Sequence, residues 1–293
     1  MENKNLKWSG KSYGGYWGNL VFLRLLKVGL LPAYFLLVFV SAFFVVFRRR
    51  AVAPIAGYLS RIFGRKISAI SWQSYKSAFS FGVSILDKTA YFAGSDSIEV
   101  CDESAAVIER ARVRGRGVLI LASHTGGWAI ASGELARKFP DAEIVGANRE
   151  RAEIAKLSES VRTRGVPETL ADTSDGFSPI AVYGALKRGA IAAMHADRDA
   201  GGRSVEADFL GGRVAAPSAP YVCAWRAGAA VLQIFCVRKS PFKYVSFCRE
   251  IDLSSCANSA EAAQKGAGEF FGNLEEILKQ YPYQWYNFYD FWK

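Results

Sequence analysis

His124 is one of only two histidines in the chain, and its flanks give it a chemical setting. Before it runs Val118-Leu119-Ile120-Leu121-Ala122, a short apolar stretch that predicts a β-strand. After it, from Trp128 to Phe139, the residues Trp128, Ile130, Ala131, Leu135 and Phe139 share one helical face. His124 therefore lies in a strand-to-helix connection, where α/β sheets bind ligands. An imidazole there suits proton transfer near neutral pH. The adjacent Gly126-Gly127 lets backbone N–H groups come close to an oxyanion or a phosphate.

The elements that must position His124 repeat along the chain. A second apolar run, Ile144-Val145, leads to Arg149. A third, Ala190–Met194, leads to His195-Ala196-Asp197-Arg198-Asp199. Helical stretches Ile154–Thr163 and Pro179–Lys187 lie between the second and the third. This alternation predicts an α/β fold with a mainly parallel central sheet flanked by helices. In such a sheet the carboxyl ends of the strands face one edge, so His124, Arg149 and Asp197 are expected to line one cleft. Asp197 or Asp199 can approach His124 from the neighbouring strand end. His195 reads as a structural neighbour of that turn, not as a second base. Residues 51–110 read as helical, with Ile55, Leu59, Ile62 and Phe63 on one stripe and Trp72, Tyr75 and Phe79 on another. Ile98-Glu99-Val100 reads as a short strand. Val231–Val237 and Lys243–Cys248 read as a hairpin, and residues 260–280 as a terminal helix.

His124-Thr125-Gly126-Gly127-Trp128-Ala129 resembles the motif of the glycerolipid and lipid A acyltransferase superfamily. That family carries a His followed five positions later by Asp or Glu. Its late-acyltransferase branch commonly reads His-x-Gly-Asn-Trp-Glu. The resemblance continues through Asp197-Arg198-Asp199, Phe209-Leu210-Gly211-Gly212, Pro217 and Pro220, and the small residues Ala227–Ala230. It ends at Pro282-Tyr283-Gln284-Trp285 within an aromatic tail. It implies transfer of a fatty acyl group from an acyl carrier protein or coenzyme A thioester to a hydroxyl or amine of a lipid A-like, glycolipid or other lipid acceptor. His124 would be the general base and Gly126 and Gly127 the oxyanion site. Arg149, Arg164, Asp197, Arg198, Asp199 and Gly211 would contact substrate, with no metal and no cofactor beyond the thioester co-substrate. Arg162 matches the family's Arg-x-x-Gly-like turn only loosely. Where the motif has its acid, this chain has Ala129, and a methyl group neither accepts a hydrogen bond nor carries charge. Glu134 points to another side of its helix. Two explanations stand: a carboxylate removed by engineering, favoured by the little decay elsewhere in the motif, or a naturally divergent or inactive member. On either, impaired transfer is expected, with recovery on Ala129→Glu.

The remainder of the chain fits a membrane enzyme. Its 293 residues are 51% hydrophobic, with a formal charge of +10. Such a charge suits an anionic membrane surface or an acidic carrier. No zinc-finger spacing or RNP-type pattern points to nucleic acid. Val28–Phe47 carries no charge and is flanked by Arg24, Lys27 and Arg48-Arg49-Arg50. That length and flanking predict a membrane helix, kinked near Pro32, with the catalytic domain on the cytoplasmic face of a bacterial inner membrane. The expected division is a membrane-anchoring segment at 1–50 and an acyltransferase domain at 51–293. Five scattered cysteines without C-x-x-C spacing fit a reducing compartment and give no zinc site. The rivals are a catalytically inactive, membrane-bound lipid-binding homologue and, more remotely, a hydrolase using Ser123. Ser123 lacks the Gly-x-Ser-x-Gly elbow.

Overall fold

The computed structural model describes residues 15–114, 117–146, 169–172, 178–198 and 202–292. The chain forms two compact units. One comprises residues 1–99, 149–164 and 278–293; the other comprises 100–148 and 165–277. The expected membrane-anchoring segment makes up part of the first.

The first unit is helical: α1 (Gly15–Val28), α2 (Leu30–Phe47), α3 (Arg49–Ile62) and α4 (Trp72–Phe92). The break before α2 falls at Gly29, whose φ of 143° suits glycine. Pro32 sits in the first turn of α2 and kinks nothing, because first-turn amides have no intrahelical partner to lose. Leu30, Ala33, Leu37, Ser41 and Val45 form the buried stripe of α2. The aromatic tail packs on α3 and α4. Trp285, 1% exposed, meets Tyr58 edge-on at 4.9 Å. The Tyr58 hydroxyl donates to the Pro282 carbonyl at 2.9 Å. Tyr286 and Phe288 pack on Phe81.

The second unit carries the sheet. Its elements are β1 (Glu99–Asp102), α5 (Ala105–Val113), β2 (Val118–Ala122), α6 (Trp128–Lys138), β3 (Glu143–Gly146), β4 (Thr169–Asp172), α7 (Pro179–Lys187), β5 (Ile191–His195), β6 (Ser204–Phe209), β7 (Gly212–Pro217), α8 (Ala219–Ala227), β8 (Ala230–Ser240), β9 (Lys243–Ile251) and α9 (Ser259–Gln280). The central sheet runs β1-β9-β8-β2-β5-β3-β4. β2 pairs in parallel with β5 and with β8, and β3 in parallel with β5 and β4; β8 and β9 are antiparallel. β2 is buried on both faces, as its unbroken apolar run requires. Val118 and Ile120 pack with Ile108 of α5, Leu135 of α6, Ile191 of β5 and Leu232 of β8. Through Phe270, α9 covers β8, whose Gln233 side chain donates to the Phe270 carbonyl at 3.0 Å.

The small β6–β7 sheet is not expected from the sequence. Its turn is Leu210-Gly211, with φ of 49° and 70°. Leucine is not a residue that announces a left-handed turn. The strained Leu210 is held by its amide, which donates to Glu275 Oε2 of α9 at 2.7 Å.

Candidate active site

The register of β2 and β5 brings the site together. Ala122 and His195 are partners across the two parallel strands, and the ladder continues as the Ala196 amide donates to the Ala122 carbonyl at 3.0 Å. Two residues beyond each partner lie His124 and Asp197, so they too come face to face. His124 Nδ1 is 2.9 Å from Asp197 Oδ1, and the His124 amide donates to Asp197 Oδ2 at 2.9 Å. One carboxylate thus fixes both the backbone and the ring of His124. Only 1% of the Asp197 side chain is exposed, against 19% of His124, so of the two it is the imidazole that reaches the surface.

Burial alone would raise the Asp197 pKa. The charge and hydrogen bond of His124, with Arg198 and His195 beyond, outweigh it and hold the carboxyl well below the usual carboxylate range. Asp197 is therefore an acceptor, and the His124 Nδ1–H donates to it. The His195 ring stacks on His124 at 4.3 Å and 26°, with Trp128 at 5.7 Å on another side. Desolvation of the ring in its stack, then the neighbouring His124, lowers the His195 pKa, although the residue as a whole is exposed. A neutral His195 gives His124 a flat uncharged neighbour.

The turn into α6 is tightly tied. Gly126 adopts a φ of 55°. The Thr125 amide donates to the Ser123 carbonyl at 2.7 Å, and the Gly127 amide to the Cys236 carbonyl of β8 at 2.8 Å. The Gly127 N–H is committed to β8, which corrects its assignment as an oxyanion donor. A Cβ on Gly127 would lie 2.6 Å from the Tyr244 ring and 3.2 Å from Cys236 Sγ, so glycine is what fits there. Ala129 stands in the first turn of α6. Glu134 is buried and pairs with Arg137 at 2.7 Å, so it does not replace the missing acid.

Of the other expected site residues, Arg198 follows Asp197 directly. Gly211 lies in the β6–β7 turn, where its positive φ is used. Arg149, Arg162, Arg164 and Asp199 lie outside the described residues, as does the stretch Ile154–Thr163. Of the three residues expected to share one cleft, His124 and Asp197 are in contact, and Arg149 lies outside the described residues. Sequence reading did not find Tyr244, whose ring fills the space beside Gly127. Nothing near position 244 signals it.

A family model described as bacterial lipid A biosynthesis acyltransferase matches residues 12–293. The chain belongs to the bacterial lipid A biosynthesis acyltransferase family. A search of curated proteins found no match. The family makes it an acyltransferase of the lipid A type, working on a lipid acceptor and an acyl donor. In this acyltransferase a histidine–carboxylate pair stands at the strand edge even though the motif's own acid is absent.

Proposed function

We propose that this chain transfers a fatty acyl group from an acyl carrier protein or coenzyme A thioester to a hydroxyl or amine of a lipid A-like, glycolipid or other lipid acceptor at the cytoplasmic face of a bacterial inner membrane, with His124 as general base. The supporting observation is the His124–Asp197 pair, with Nδ1 engaged by a buried carboxylate and the His124 ring the more exposed partner. Nε2 takes the acceptor's proton as its oxygen or nitrogen attacks the thioester carbonyl. The tetrahedral intermediate collapses, the carbon–sulfur bond breaks, and the thiolate recovers the proton from the imidazolium. Asp197 stabilises that imidazolium and fixes its tautomer, the duty of the buried acid in a Ser-His-Asp triad. Arg198, next to Asp197 in the chain, is assigned to a phosphate of acceptor or carrier by its charge and fork of donors.

On this proposal Ala129 does not disarm His124, because Asp197 supplies the orienting carboxylate. The fit of Tyr244 against Gly127 favours natural divergence over a single engineered replacement, since position 127 departs from the common motif as well and its surroundings suit the change. The rival reading, an inactive lipid-binding homologue, draws its support from Ala129. The deciding assay offers labelled acyl-carrier-protein and acyl-coenzyme A thioesters with a bacterial lipid extract. Label entering lipid with the present chain, and not with His124→Ala, is expected. Specific lipid binding without transfer from either donor would establish the rival.

A further inference from the structure

α2 is the one described helix long and apolar enough to cross a membrane, with a mean hydropathy of 2.5 over Leu30–Phe47. Its packing does not suit a crossing. Along its length α2 lies against α4. Tyr34 hydrogen-bonds Asp87, Leu37 seats in the space a Cβ on Gly82 would need, and the Tyr75 hydroxyl donates to the Val38 carbonyl at 3.4 Å. The contacts run in opposite chain directions, so the two helices are antiparallel.

A hydrocarbon slab about 30 Å thick that enclosed α2 would enclose α4 as well. α4 carries Lys76 exposed and Asp87 buried. At Phe81, next to the Gly82 that receives the midpoint of α2, α4 is covered by Tyr286 and Phe288 of the tail, with centroids at 5.3 and 4.7 Å. The slab would thus hold the exposed ammonium of Lys76, which is costly in hydrocarbon.

The other face of α2 is different. Leu31, Phe35, Phe39, Phe43 and Phe47 recur every four residues and are 49–72% exposed, a single apolar ridge. At its end, Arg48, Arg49 and Arg50 break the chain into α3 and line an open recess with Val46 and Phe47. An apolar ridge ending in cationic groups complements one leaflet of an anionic bilayer, acyl chains against the ridge and phosphates against the arginines.

We propose that α2 is a monotopic element: it dips its Leu31–Phe47 ridge into one leaflet of an anionic membrane and leaves both of its ends on the same side. This rests on the membrane association in the proposed function and specifies its geometry.

The test uses the full chain bearing Val28→Cys in one variant and Ala53→Cys in another, both at exposed or partly exposed positions flanking α2. Each is added to sealed vesicles of anionic phospholipid and floated. Floated samples are then labelled with a membrane-impermeant maleimide before and after detergent, with the label located by peptide mass spectrometry to separate it from the native cysteines. Flotation with both positions labelled equally before and after detergent is expected. Flotation with one position protected until detergent is added would overturn the monotopic geometry and leave membrane association standing. Failure to float would overturn both.

Discussion

At His124 the orienting carboxylate comes from Asp197, 73 residues further on, and not from position 129. Because Nδ1 is already engaged, Ala129→Glu should alter kcat/KM by less than about tenfold, or about 1.4 kcal/mol of barrier. A gain of 10²-fold or more would show that position 129 is where the partner is missing. At the next residue but one before it, Gly127→Asn should destabilise the fold by about 1–3 kcal/mol through overpacking against Tyr244. Denaturant melts would read this, and Tyr244→Ala in the same chain should return part of the loss. Acid should loosen the site in two stages. His195 has a lowered pKa in the fold, so the unfolded chain binds its proton more readily. Its contribution is present above about pH 6.5 and is lost as pH falls below that. The depressed Asp197 contributes above about pH 4 and loses its contribution only below that. Melting temperature should therefore fall between pH 7.5 and 5, and His195→Phe should flatten that slope. An unchanged slope in His195→Phe would contradict the assignment.

Among the elements, β2 and α7 were legible residue for residue, because an unbroken apolar run fixes one and a Ser-Pro start the other. Ser178 caps α7 through the Ala181 amide, as that start requires. The His124–Asp197 meeting was legible too, since parallel strands with aligned ends put their following residues side by side. What could not be read depends on distant chain. The commitment of the Gly127 amide comes from β8 and β9, whose Cys236 and Tyr244 lie over a hundred residues away in sequence. The β6–β7 hairpin was hidden because its turn puts Leu210 in a left-handed conformation, with its amide bound to Glu275 of α9, 65 residues away. In α2, Pro32 misled because its place within the helix was unknown until Gly29 was seen to end α1. The two faces of α2 should respond differently to substitution. Leu37→Ala removes the side chain seated on Gly82 and should cost about 2–5 kcal/mol. Phe39→Ser on the exposed ridge should leave the melt nearly unchanged and weaken vesicle flotation.

For the whole molecule, the proposed association with anionic vesicles would be electrostatic in part, given a formal charge of +10 and the arginines beyond α2. Screening shortens the reach of exposed charges to about 3 Å at about 1 M salt. Flotation should therefore weaken as salt rises, with the apolar ridge retaining a residual fraction; salt-independent flotation would assign binding to the ridge alone. The proposed reaction rests on the strand-edge pair. Its central requirement is that Asp197 makes His124 a base. The direct measurement is steady-state acyl transfer from a labelled thioester into lipid by the present chain and by Asp197→Asn. A loss of roughly 10²–10⁴-fold in kcat with little change in KM is predicted, as for the orienting acid of a triad. Transfer by Asp197→Asn at the rate of the present chain would contradict it.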